Sequence, residues 1–259
     1  MCPYIVEIGP LKIASYGTMV ALAFLAGFHV LKKELERKGM GEELASSLVT
    51  AELIGGLVGA KLYFVLFEIP PNQTWGEIFR ILFSGSGLVW YGGVGLATLS
   101  GIWVVRRHRV SLVMVLDATA PALAVGYAIG RIGCQLAGDG CYGIPTDLPW
   151  GMAYPQGVVP TLEKVHPTPV YETLTGLMIF GLLWGMRKRF PQPGFAFCLY
   201  LVLAGLVRFL VEFVRCNPEL LWGLSDDQLI SLGMMGMGLI WGGRLLAKSP
   251  SENVSPIVP

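Results

Sequence analysis

The chain has 259 residues, 53% of them hydrophobic and 14% charged, with a formal net charge of +1 and a mean hydropathy of +0.59. Soluble globular domains carry roughly 25% charged residues, so the composition excludes an ordinary soluble domain and points to a polytopic membrane protein. The net charge decides little, because in such proteins the placement of positive residues matters more than their sum.

In chain order, the first twelve residues lack the basic region of a cleavable leader, and the apolar run that follows is of membrane length and ends in lysines. The first span is therefore expected to be retained. Runs that approach the roughly 20 residues needed to cross the hydrocarbon core lie near 12–31, 49–69, 84–105, 112–133, 169–186, 194–214 and 227–246. The expected fold is an all-α polytopic membrane protein with seven transmembrane helices. Twelve of the nineteen basic residues fall in alternate loops: Lys32, Lys33, Arg37 and Lys38; Arg106, Arg107 and Arg109; Arg187, Lys188 and Arg189; Arg244 and Lys248. Positive loops stay in the cytoplasm, which puts the N-terminus out and the C-terminus in. One integral membrane domain is expected over 1–248, including an extracytoplasmic head loop over 134–168, with short outer connections at 70–80 and 215–226. Prolines 145, 149 and 155 and Trp150 suit an ordered cap there. A short cytoplasmic tail over 249–259 is expected to be disordered. Gly55, Gly56 and Gly59 are expected to let helices approach closely, and Met234, Met235 and Met237 to pack against lipid or neighbouring helices rather than form a binding surface.

The remaining basic residues include Lys61, Arg131, Arg208 and Arg215, all at membrane depth or at the outer ends of spans. An ionisable group there costs several kcal/mol unless paired or hydrated, so each marks a functional hypothesis. Arg208, Glu212 and Arg215, spaced i, i+4 and i+7, share one helix face with the carboxylate between two guanidinium groups, an arrangement suited to an anion or to a plain ion-pair ladder. Arg131 lies between Gly130 and Gly133, glycines that let a headgroup approach the backbone; snorkelling to the interface is the other reading. Asp139 either orients a cation or serves as a turn residue. Tyr16 and Tyr91 sit at the depth of the arginines, where an interfacial aromatic belt is equally expected. His166 is the side chain most easily poised as a base near neutral pH, or else a loop anchor. Glu52 and Asp117, near inner ends of spans, are expected to pair with each other or with Lys61. The five cysteines show neither CxxC nor zinc-ligand spacing, so they read as ordinary small buried residues and no metal is expected.

S-Y-G at 15–17, G-A-K-L-Y-F-V-L-F at 59–67, Y-G-G at 91–93, D-x-x-A-P at 117–121, G-R-I-G at 130–133, H-P-T-P-V-Y-E at 166–172, R-F-L-V-E-F-V-R at 208–215 and D-Q-L-I-S at 227–231 occur in that order. In these stretches the chain resembles the bacterial prolipoprotein diacylglyceryl transferases, a seven-span family of the inner (plasma) membrane. The resemblance implies transfer of the diacylglyceryl group of phosphatidylglycerol to the lipobox cysteine thiol of a prolipoprotein, with glycerol phosphate leaving. It makes Arg131 the arginine of the family signature and Arg208 its second essential arginine, with Glu212 alongside.

The site expected on this basis comprises Arg131, Arg208, Tyr91, His166 and Glu212 for catalysis, and Tyr16, Gly92, Gly93, Gly130, Gly133, Asp139 and Gly143 for substrate binding. The expected partners are phosphatidylglycerol, the prolipoprotein signal peptide with its lipobox, and membrane lipids; no nucleic acid, metal or diffusible cofactor is implied. The chain departs from the family pattern at Tyr91, where the family has a histidine; at Cys134, where it has an asparagine; at an extra residue around Gly140 and Cys141; and at Ala204, where tyrosine is typical. A Cys134–Cys141 disulfide is a further expectation, subject to geometry. A relative with the same lipid donor and another acceptor, or a lipid or anion transporter, are the alternatives; the outer-end concentration of arginines and the absence of a repeated half weigh against transport.

Overall fold

The computed structural model describes residues 2–8, 11–69, 74–82, 89–189 and 192–247. Two short strands, β1 (Tyr4–Ile8) and β2 (Leu11–Ala14), lead into α1 (Ser15–Arg37), followed by α2 (Glu42–Tyr63), which runs on as a π-helical turn at Phe64–Glu68. Next come α3 (Trp75–Leu82), α4 (Trp90–Arg107), α5 (Leu112–Ala137), strands β3 (Met152–Tyr154) and β4 (Thr161–Val165), and then α6 (Thr168–Met186), α7 (Phe195–Glu212) and α8 (Asp226–Ala247). The protein is mainly helical, and among the described residues five helices, α1, α2 with its π turn, α5, α7 and α8, are long and apolar enough to cross a membrane. The helices α4 and α6, of 18 and 19 residues, coincide with expected spans but are not among these five. Polar groups weight their ends: Arg106 and Arg107 close α4, and Thr168 and Glu172 lie in the opening turns of α6.

The helical framework is as expected, with two short antiparallel pairs beside it, β1 with β2 and β3 with β4. Other expectations are corrected. The run at 12–31 begins as strand and becomes helix only at Ser15. The connection expected at 70–80 contains α3, and α4 starts at Trp90, with 83–88 outside the described residues. So are Lys248 and the tail at 249–259. The expected pairing among Glu52, Asp117 and Lys61 gives way to other partners. Lys61 Nζ donates to the Ile81 carbonyl at 2.8 Å, tying α3 to α2. Asp117 accepts the Gly194 and Phe197 N–H groups at 2.8 and 3.1 Å, which satisfies donors that the first turn of α7 cannot pair internally.

The chain divides into two compact units, 1–31 with 116–259, and 32–115. In the smaller, α2 and α4 pack through glycines, as expected of Gly55, Gly56 and Gly59. A Cβ on Gly93 would meet the Gly56 carbonyl oxygen at 3.2 Å, and one on Gly92 would overlap Tyr63 Cβ and the Gly59 carbonyl. Close backbone approach of this kind gives helices dispersion contacts that apolar lipid does not replace. In the larger unit, Ala120 and Ala124 of α5 pack with Ile179 and Leu183 of α6, and Phe197 and Tyr200 of α7 close over them. Gly205 of α7 faces the Ser231 carbonyl with Met234 and Met235 of α8, confirming a packing role for these two methionines; Met237 is exposed.

The head segment is ordered by its own hydrogen bonds. Thr146 N–H donates to the Lys164 carbonyl at 2.9 Å and Ile144 N–H to Val214 at 2.9 Å, folding the loop against the end of α7. Tyr154 is fully buried; its hydroxyl donates to Gln135 Oε1 at 2.8 Å, and its ring stacks on Tyr142 with centroids 4.9 Å apart.

The glycine packing yields a paired test. Gly92→Ala overpacks the α2–α4 contact and should lower unfolding stability in detergent by about 1–3 kcal/mol. Gly95→Ala, where a Cβ meets nothing within 4 Å, should be neutral or mildly stabilising. Equal thermal midpoints for the two variants would contradict this packing.

Candidate active site

All the charged groups that converge in the larger unit come from helix ends. Tyr127 and Arg131 lie one turn apart on the last part of α5, and the Arg131 guanidinium carbon sits 5.0 Å from the Tyr127 ring centroid, within cation–π range. The chain enters α6 through Pro167-Thr168-Pro169, whose prolines cannot continue a preceding helix but are tolerated in a first turn. That fixed start places Glu172 one turn inside the protein with 0% exposure. Arg208 and Glu212 end α7, Arg215 follows in the turn, and Asp227 opens α8.

The Glu172 carboxylate is the meeting point. Its Oε1 lies 3.2 Å from Arg131 Nη2 and 3.0 Å from Arg208 Nη1, and accepts the Tyr127 hydroxyl at 2.5 Å. Its Oε2 lies 3.4 Å from Arg215 Nη1. Arg208 also pairs with Asp227 and, at 3.1 Å, with Glu212 Oε2. Glu212 Oε1 accepts from Asn217 Nδ2 at 2.5 Å and Ser225 Oγ at 3.0 Å. Three guanidinium groups thus meet three carboxylates, and a buried charge survives only when paired and hydrogen-bonded in this way. One donor is left over. Arg215 Nε, 3.7 Å from Glu212 Oε2, has no hydrogen-bond partner among the described residues. The side chains of Arg131 and Arg208 keep 17% and 18% of their surface accessible, so the cluster can meet a ligand while its centre stays dry.

The expected residues divide accordingly. Arg131, Arg208 and Glu212 are brought together. Gly133 lies against Tyr16 and Met19, where a Cβ would sit 3.3 and 3.0 Å from their side chains, while Gly130 faces open space. Gly143 is held where a Cβ would crowd Val214, His166 and Thr168, and its N–H donates to the His166 carbonyl at 2.8 Å. His166 has its Nδ1 3.3 Å from the Tyr171 hydroxyl, which in turn accepts from Trp150 Nε1 at 2.8 Å; these contacts anchor the loop. Asp139 Oδ1 accepts the Cys141 N–H at 3.2 Å, a turn contact. Tyr91, Gly92 and Gly93 belong to the smaller unit, and both glycines face α2. Cys134 and Cys141 are free thiols, so the expected disulfide is absent. The hydrogen bond with the Cys134 thiol holds the Cys141 thiol below the usual range, at about 7, whereas burial pushes the Tyr154 phenol up to about 12.

The sequence reading left Glu172, Tyr127, Asn217, Ser225 and Asp227 out of the site. Glu172 had a usable signal: an acidic residue opening a membrane-length apolar run is a functional-site candidate on the same argument as the arginines. Tyr127 and Ser225 carried none, because their types are ordinary at such positions.

Glu172→Leu removes the shared counter-charge from three buried cations and should cost about 3–5 kcal/mol of stability. Glu172→Gln keeps hydrogen-bonding capacity and should cost less. Thermal unfolding in detergent within 0.5 kcal/mol of the parent for Glu172→Leu, on the order of an ordinary surface change, would show that the carboxylate does not hold the cluster.

The family model described as prolipoprotein diacylglyceryl transferase matches residues 3–242. Among curated relatives, a Clostridium tetani protein is 34% identical over 242 residues, covering 92% of this chain and 96% of the relative. One from Leptospira interrogans is 33% identical over 93% of this chain and 92% of its own length, and one from Thermotoga maritima 32% over 96% and 86%. All three carry the name phosphatidylglycerol–prolipoprotein diacylglyceryl transferase. With a match that runs nearly end to end and takes in Arg131, Glu172, Arg208 and Glu212, the chain belongs to the prolipoprotein diacylglyceryl transferase family.

Proposed function

We propose that this protein transfers the diacylglyceryl group of phosphatidylglycerol to the lipobox cysteine thiol of prolipoproteins. Family membership supports the reaction, and the observation that carries the site assignment is the convergence of Arg131, Arg208 and Arg215 on Glu172. In the reaction the thiol loses its proton, a sulfur–carbon bond forms at the lipid's glyceryl carbon, and the carbon–oxygen bond to phosphate breaks, releasing glycerol phosphate. Negative charge grows on the departing phosphate. Arg131 and Arg208 hold that phosphate. Donors already oriented by Glu172, Glu212 and Asp227 need no reorganisation as charge develops, and in a water-poor site this preorganisation is worth a few kcal/mol. Planar guanidinium groups suit phosphate because each can donate two parallel hydrogen bonds.

In this reading α4 and α6 complete seven spans, the N-terminus and the 134–168 segment lie outside the inner membrane, and the C-terminus lies inside, as the basic loops suggest. Tyr91 and His166 take the proton-accepting or positioning role, an assignment that rests on residue type, since the thiol needs a base near neutral pH.

The reading is tested by glycerol phosphate release from phosphatidylglycerol vesicles holding the purified protein and a lipobox peptide. Release should require the peptide cysteine, vanish with its Cys→Ser version, and fall about 100-fold or more in Arg131→Ala and Arg208→Ala, the scale seen when one preorganised donor is removed. Tyr91→Phe and His166→Ala should each lose about 100-fold if they move the proton. Lipid movement without glycerol phosphate release would indicate a transporter, and release independent of the cysteine would indicate another acceptor.

A further inference from the structure

Two thiols and a carboxylate meet at the end of α5, beside the arginine cluster but outside its hydrogen-bond network. Cys134, in the last turns of α5, is 7% exposed. Gly138 and Gly140 take φ values of +60° and +87°, left-handed conformations that glycine adopts without strain. The reversal they produce brings Asp139 and Cys141 back over the helix end. One ligand atom from each of Cys134, Asp139 and Cys141 then lies within 4.8 Å of the other two. The turn contact from the Cys141 N–H to Asp139 Oδ1 at 3.2 Å fixes the carboxylate there. The Cys141 carbonyl accepts the Thr168 hydroxyl at 2.5 Å, tying the turn to the first residue of α6.

This ligand set has a clear preference. Zinc takes thiolate at about 2.3 Å and carboxylate at about 2.0–2.2 Å, so tetrahedral neighbours stand roughly 3.3–3.8 Å apart, and a group already within 4.8 Å needs only a small contraction to hold the ion. Thiolate ligands disfavour calcium and magnesium, which take oxygen. A disulfide is the competing chemistry for adjacent thiols outside the cytoplasm, but it would leave the Asp139 carboxylate facing two neutral sulfur atoms. A zinc ion gives that carboxylate a counter-charge. Two thiolates, one carboxylate and Zn²⁺ sum to −1, and Arg131, three residues before Cys134 and on the same face of α5, supplies the positive neighbour.

We propose that Cys134, Asp139 and Cys141 are the three protein ligands of a zinc ion, with a water in the fourth position. The ion clamps the end of α5 to the turn held by α6, and so fixes the two helices that deliver Arg131 and Glu172. The assignment goes beyond the transferase reading and does not depend on it.

The test is zinc content by elemental mass spectrometry on the full-length, detergent-purified protein after dialysis against zinc-free buffer, with Cys216→Ser as a control for a thiol outside the group. The parent and the control should carry about one zinc per chain, and Cys134→Ser and Cys141→Ser at least tenfold less, as expected when a ligand is lost from a tetrahedral site. A cobalt(II) titration of the parent, which needs no variant, should give thiolate-to-cobalt charge-transfer absorption that zinc abolishes. The proposal fails if the parent holds no more zinc than Cys134→Ser and shows no such absorption. It fails equally if non-reducing peptide mapping finds Cys134 and Cys141 joined in a disulfide.

Discussion

A carboxylate closed to solvent sits among three guanidinium groups, and four helix ends are where they are because it is there. Glu172 contacts Arg131 from α5, Arg208 from α7 and Arg215 from the turn beyond α7, while Asp227 at the start of α8 pairs with Arg208. Uncompensated, three cations at this separation would repel one another and suffer the full cost of leaving water. Compensated, they form a rigid set of donors partly open to a ligand. Stability and chemistry thus draw on the same contacts, as expected of ionisable residues in a membrane protein.

The rest of the larger unit serves this arrangement. Asp117 secures the start of α7, and Pro167 with Pro169 sets the start of α6. The head segment returns along the end of α7 through the Gly143–Arg215 bridge, so the backbone that carries Arg215 is held by the same loop that His166 anchors. A change in that loop is therefore a change in the placement of an arginine. The Cys134, Asp139 and Cys141 group sits where the loop leaves α5, the point at which the head segment gains its leverage.

Much of the helical framework was legible because membrane-length apolar runs carry a strong signal, and the arginines stood out as charges that apolar surroundings do not tolerate unpaired. The i, i+4 and i+7 spacing of Arg208, Glu212 and Arg215 correctly put them together. Four things were harder to read. Short antiparallel pairs such as β1–β2 carry little periodicity in four or five residues, so they merged with the first apolar run. Glu172 was visible as an acidic residue, but its role depends on three helices meeting, which spacing within one helix does not encode. Gly92 and Gly93 enter the expected substrate site through the Y-G-G motif, and their packing against α2 was not legible, because a glycine's missing side chain serves helix approach as readily as ligand approach. The proximity of Cys134 and Cys141 was suspected, but Asp139 as their companion required the two left-handed glycines to be seen.

The central claim is that Arg131 and Arg208 act as one unit, joined through Glu172, on a single phosphate. The most direct measurement is a double-mutant cycle in which each arginine is changed to lysine, singly and together, and kcat/KM is measured for thiol-dependent glycerol phosphate release. Residues sharing one partner couple by about 0.5–3 kcal/mol, so the double variant should deviate from the sum of the single effects by at least about 1 kcal/mol. Effects that add within about 0.3–0.5 kcal/mol, the behaviour of independent sites, would contradict the account.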